Sequence, residues 1–125
     1  MLGAGGNARH AALLILFAGL AVAWTWPLAR DLGTAIPGDP GDNYSFVWNL
    51  WWMRHVLATP GLAYFHTTYL FHPFGASMAN HPNTALPALV GATLLGRASP
   101  AAAQDVLLIA YVFANLAAMY ALAWT

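Results

Sequence analysis

The sequence predicts an all-α, polytopic membrane protein, with about three transmembrane helices and one long extracytoplasmic loop that contains an amphipathic interfacial helix. Three observations support this. The chain is 60% hydrophobic and 6% charged, against roughly 25% charged in an ordinary soluble domain. Its first long apolar run carries no charge. A polar, aromatic interval then separates that run from two further apolar stretches.

Residues 1–10, ending in Arg9 and His10, read as a cytoplasmic N-terminus. Residues 11–28 (AALLILFAGLAVAWTWPL) form the first transmembrane helix, since a rise of about 1.5 Å per residue carries the run across most of a hydrocarbon core of about 30 Å. Trp24 and Trp26 fall at its far end, where indole rings favour the headgroup region. A cleaved signal peptide also has an apolar run after a basic residue, but this run ends in Trp-Thr-Trp-Pro and not in small residues spaced for cleavage.

Residues 29–84 are rich in Gly, Pro, Asp, Asn and His, interleaved with aromatics, and form the predicted extracytoplasmic loop. The stretch GTAIPGDPGDN is dense in turn residues, and Asp42 or Asn43 is placed to cap a helix over 44–58 that stops at Thr59-Pro60-Gly61. Phe46, Leu50, Met53 and Leu57 recur there at helical spacing beside Trp51, with Asn49 and Arg54 elsewhere on the wheel, which suits a helix lying flat on a bilayer. A helix packed against protein is the alternative.

Beyond Gly61, the prolines of LAYFHTTYLFHPFGASMANHPNT permit only short turns. Residues 85–97 make a short second span, 98–104 a cytoplasmic connection, and 105–125 a third span with Asp105 at the interface. That last run is still apolar at Thr125, so the chain is expected to be the N-terminal piece of a longer protein, its third span truncated. With the N-terminus inside, Arg9 and Arg97 are cytoplasmic and Arg30 and Arg54 lie outside with Asp31, Asp39 and Asp42.

Function classes narrow with the charges. Four arginines balance four aspartates, so no basic field attracts nucleic acid, and the absence of cysteine removes disulfides and thiolate chemistry. His66, His72 and His81 share a loop, but their spacing fits no compact ligand motif and no metal site is assigned. Asn115, in the last apolar run, suits helix packing better than ligand binding. Asp39 and Asp42 stand three positions apart directly after a span; carboxylates there can accept a proton, hold a divalent cation, or serve turn and cap.

The wording GDPGDNYSFVWNLWWMRHVL, followed by YLFHPFGASMANHPNTALPALVG, resembles the N-terminal part of the GT-C class of polytopic membrane glycosyltransferases. That class includes protein O-mannosyltransferases, oligosaccharyltransferase catalytic subunits and aminoarabinose transferases. The resemblance, which runs from Ala11 to Thr125, implies transfer of a sugar from a polyprenyl-phosphate donor to an extracytoplasmic acceptor at a bacterial inner membrane. It makes Asp42 the candidate catalytic base, with Asp39 second, and Tyr44 the aromatic position that follows. Asn43 stands where many relatives have Glu, so a two-carboxylate site would draw on Asp39, and a divalent cation is left open rather than required. Arg54 and His55 are candidates to hold the donor phosphate, although a helix-surface arginine more often meets solvent or lipid headgroups. The partners are then the bilayer and the lipid-linked sugar, with no oligomeric state specified; the isolated piece is expected to be inactive. A noncatalytic membrane assembly or scaffold protein and a transporter subunit are the alternatives, the latter disfavoured by spans with almost no ionisable residues.

Overall fold

A computed structural model describes residues 4–39, 41–80 and 84–124. Among them are four α-helices, α1 (Ala4–Trp24), α2 (Asp42–Ala58), α3 (Ala85–Leu94) and α4 (Pro100–Trp124). A two-residue antiparallel pair adds β structure to the expected helices: β1 (His66–Thr67) meets β2 (Ala76–Ser77), with His66 opposite Ser77 and Thr67 opposite Ala76, and a 3₁₀ turn follows at Met78–Asn80.

Helix α1 starts earlier than the expected 11–28 and stops at Trp24. Pro27 has no N–H to continue an α-helical ladder. The chain descends instead through linked turns in which the N–H groups of Leu28, Asp31 and Thr34 bond the carbonyls of Thr25, Leu28 and Asp31 at 2.8, 3.1 and 3.0 Å.

Helices α1 and α4 are the two elements long and apolar enough, by length and composition, to cross a membrane. They lie antiparallel. At one end the Arg9 guanidinium stands 5.7 Å from the Trp124 ring centroid, and His10 Nδ1 shares a 2.7 Å hydrogen bond with the Tyr120 hydroxyl. Midway, Ala18, Ala21 and Val22 share a crevice with Val106, Ile109, Ala110 and Phe113. Past the other end, the Gly33 N–H donates to Asp105 Oδ2 at 2.7 Å. The segment between the two helices therefore leaves α1 and rejoins α4 at one end of the pair.

This arrangement bears on the expected second span and on the 98–104 connection. Residues 98–104 belong to the same end as the acidic loop, because Ser99 and Ala102 border Gly33 and Arg54 reaches the Ala98 carbonyl. Helix α3 has ten residues, about 15 Å, half of a hydrocarbon core, and it packs on α2 and α4.

The core lies where α2, α3 and α4 meet: Leu50, Ala103 and Leu107 are buried together, with Val90 and Leu95 packed against them. Gly91 permits the approach, since a Cβ there would collide with Leu50 Cδ2 and stand 3.1 Å from Leu107 Cδ1. The buried face of α2 is Asn49, Leu50, Trp52 and Met53. It differs from the expected flat-lying stripe: Leu57 is exposed and Asn49 fully buried, because contact with two helices selects the face. Gly91→Leu should destabilise the protein by about 1–3 kcal/mol through overpacking, measured by thermal unfolding in detergent, and Leu50→Ala in the same chain should recover part of the loss.

Candidate functional site

The acidic turn is built from backbone geometry. Gly38 (φ 88°) and Gly41 (φ 128°) flank Asp39 in the left-handed range that glycine tolerates best. The Asn43 side-chain amide donates to the Asp39 carbonyl at 2.9 Å and lies where a Cβ on Gly38 would stand. Asn43 thus closes the turn and does not cap the helix. Gly41 occupies the N-cap without a side-chain bond, and α2 begins at Asp42, two residues before the expected start. A carboxylate in a first helical turn is stabilised by the unpaired N–H groups and the dipole there. Asp39 and Asp42 are both exposed; among the described residues neither carboxylate has an ion-pair or hydrogen-bond partner.

An open cleft of about 540 Å³ follows, lined by Tyr44, Ser45, Val47, Trp48, Trp51, Leu70 and Pro100. Asp42 and Ser45, three positions apart on α2, share a helix face. The aromatic wall is held from behind. Trp52 is fully buried, stacks on Trp48 with centroids 5.7 Å apart and planes 11° apart, and donates its indole N–H to the Tyr64 carbonyl at 2.9 Å. Trp51 stacks on His55 at 5.2 Å and 6°. Tyr69 meets Trp51 edge-on, and its hydroxyl lies 3.1 Å from His55 Nε2.

Of the expected residues, Tyr44 lines the cleft, Asp42 lies two positions before it on α2, and His55 stacks on the lining Trp51. Asp39 stays in the preceding turn. Arg54 is used elsewhere. Its Nη1 donates to the Ala98 carbonyl at 2.7 Å and its Nη2 to the Leu95 carbonyl at 2.9 Å, so the guanidinium closes the C-terminal end of α3, where helices leave carbonyls unpaired. Its Nε is buried with no partner among the described residues.

Sequence reasoning placed Asp105 at an interface and missed its role. It is fully buried, and the Gly33 N–H is its partner, with Oδ1 unpaired among the described residues. The available signal was a single acid just inside a long apolar run, where carboxylates are costly and seldom idle. The pair fixes the chain that leads into the acidic turn.

No family model, curated protein or solved structure matches the chain. The site is therefore read from its own geometry. Among the described residues, no three His, Asp or Glu side chains gather to hold a metal ion; His66 lies on β1 and His72 in the connection to β2, and His81 lies outside the described residues. Arg54→Met should cost about 2–3 kcal/mol, the range for hydrogen bonds from a charged donor, seen as a lower unfolding midpoint. Arg54→Lys should restore less than half, because an ammonium lacks the fork that spans two carbonyls.

Proposed function

We propose that α1 and α4 anchor the protein in a bilayer and that the α2 cleft, at the extracytoplasmic surface, serves glycosyl transfer from a polyprenyl-phosphate sugar to an acceptor hydroxyl. The observation that carries this reading is the placement of Asp42. It is an exposed carboxylate on the first turn of α2, beside an aromatic cleft, at the end of the helix pair where Trp24 and Trp26 stand exposed. The resemblance of GDPGDNYSFVWNLWW to the GT-C class adds support.

The chemistry needs few groups. Asp42 takes the proton of the acceptor hydroxyl as its oxygen bonds the sugar's anomeric carbon, while the bond from that carbon to the lipid phosphate breaks and the phosphate leaves with the electron pair. The faces of Trp48 and Trp51 offer apolar surface for a sugar ring or the first isoprene units. Arg54 donates to the Leu95 and Ala98 carbonyls, which weighs against it as the phosphate ligand, and Asp39 is the reserve base.

Two spans change the arginine balance. Arg97 joins Arg30 and Arg54 on the loop side, leaving Arg9 alone on the other, so basic residues do not favour the proposed orientation, which rests on the resemblance. The natural lack of cysteine permits a direct measurement. Single cysteines placed by Asp39→Cys, Ser77→Cys and Ser99→Cys should all react with an impermeant thiol reagent added to intact cells. Protection of all three would place the loop in the cytoplasm and end the transferase reading; a split between Ser77 and Ser99 would restore α3 as a span.

In the intact protein, Asp42→Asn should lower sugar transfer about a hundredfold or more, the usual contribution of a general base, with membrane insertion unchanged and stability lowered by no more than about 1 kcal/mol, the helix-dipole contribution of a first-turn carboxylate. Undiminished turnover would remove Asp42 from the mechanism.

A further inference from the structure

A second apolar feature lies between α1 and α4 and belongs to no part of the proposed reaction. One cavity of about 380 Å³ is lined by Trp24 through Leu28, Asp31, Ala35, Pro37, Leu108 and Val112. Another of about 460 Å³ is lined by Leu20, Ala23, Trp24, Val112 and Leu116. They share Trp24 and Val112, so together they form one groove between α1 and α4. It runs from the apolar middle of both helices to the turns after α1. Its walls are almost entirely hydrocarbon and indole, and it ends at a carboxylate.

That carboxylate is part of a dipolar pair. Arg30 Nε and Nη2 donate to Asp31 Oδ1 and Oδ2 at 3.1 and 2.9 Å, with side chains 65% and 35% exposed. The pair is neutral overall; Asp31 lines the groove and holds the Arg30 guanidinium beside it. Trp24 and Trp26, 83% and 59% exposed, flank it, which is the position indole rings take at a headgroup boundary.

We infer that this groove is a binding site for one aminophospholipid of the ethanolamine type, its acyl chain lying between α1 and α4 along Val112 and Trp24. The headgroup's charges complement the pair: its primary ammonium donates to Asp31, and its phosphate faces Arg30. A choline headgroup has no N–H to donate, and a glycerol headgroup has no cation for Asp31, so the site discriminates by headgroup as well as by chain. The inference rests on α1 and α4 being membrane spans, not on the transfer chemistry or on the side the loop faces.

The test uses the intact protein in phosphatidylcholine nanodiscs. Each preparation contains the same small mole fraction of chain-brominated phosphatidylethanolamine, phosphatidylcholine or phosphatidylglycerol, and tryptophan fluorescence quenching is read. The ethanolamine lipid should quench about threefold more strongly than the other two, a preference within reach of a partly exposed charge pair. Trp24→Phe with Trp26→Phe should remove the excess quenching, which assigns it to the groove and not to Trp48 or Trp51. Asp31→Asn should reduce the ethanolamine lipid to the level of the choline lipid, and Val112→Phe should lower quenching by filling the groove, each at an unchanged unfolding midpoint. Equal quenching by all three headgroups in the unsubstituted protein would show ordinary boundary lipid and overturn the inference, as would a preference that survives Asp31→Asn. Loss of transfer on Asp42→Asn leaves these readings untouched, so this site and the transferase proposal fail separately.

Discussion

The carboxylate of Asp105 and the backbone N–H of Gly33, 2.7 Å apart, form the join on which the rest of the architecture depends. A buried acid near the head of an apolar helix is expensive unless something donates to it, and here the donor comes from the chain just leaving α1. The join holds the 25–37 turns against α4 and so sets where the acidic turn begins. Gly33, at φ 76°, fits because a Cβ would stand 2.9 Å from that of Ala102.

From that join the polar interval becomes a folded unit. Leu50, Gly91 and Leu107 bring three helices together, and the Arg54 fork ties α2 to the end of α3. Trp52 ties α2 to the segment before the strands. These contacts cover one face of α2 and leave Tyr44 and Trp51 on the open side, so the aromatic wall of the cleft is stiffened from beneath. A site built on a braced helix holds its geometry better than one on a free loop.

Much of this was legible in the sequence, and the remainder has identifiable physical reasons. The long apolar helices were readable because length and lack of charge are additive along a chain. The helix after the acidic turn was readable from its stop at Thr59-Pro60-Gly61 and its apolar spacing. Its buried face was not, since Asn49 is buried by the helices that meet it and nothing local announces them. An apolar decapeptide such as α3 serves equally as a short span or a packed helix, and the contacts of Gly33 and Arg54 favour the packed helix. For the candidate site, Asp42 and Tyr44 are nominated by position beside a turn, and both are exposed. The contacts of Arg54 and Asp105 were not legible, as each is defined by a partner more than forty residues away.

The join between Gly33 and Asp105 spans 72 positions of sequence, which bears on the order of events during synthesis. When the acidic turn first emerges from the ribosome, its anchor has not yet been translated, and α2 appears before either helix that buries its Asn49 and Leu50 face. The growing chain must therefore hold a half-made, tryptophan-rich segment until α4 arrives. In that interval those rings have no helix to cover them, and a translational pause before Pro100 would lengthen the exposure.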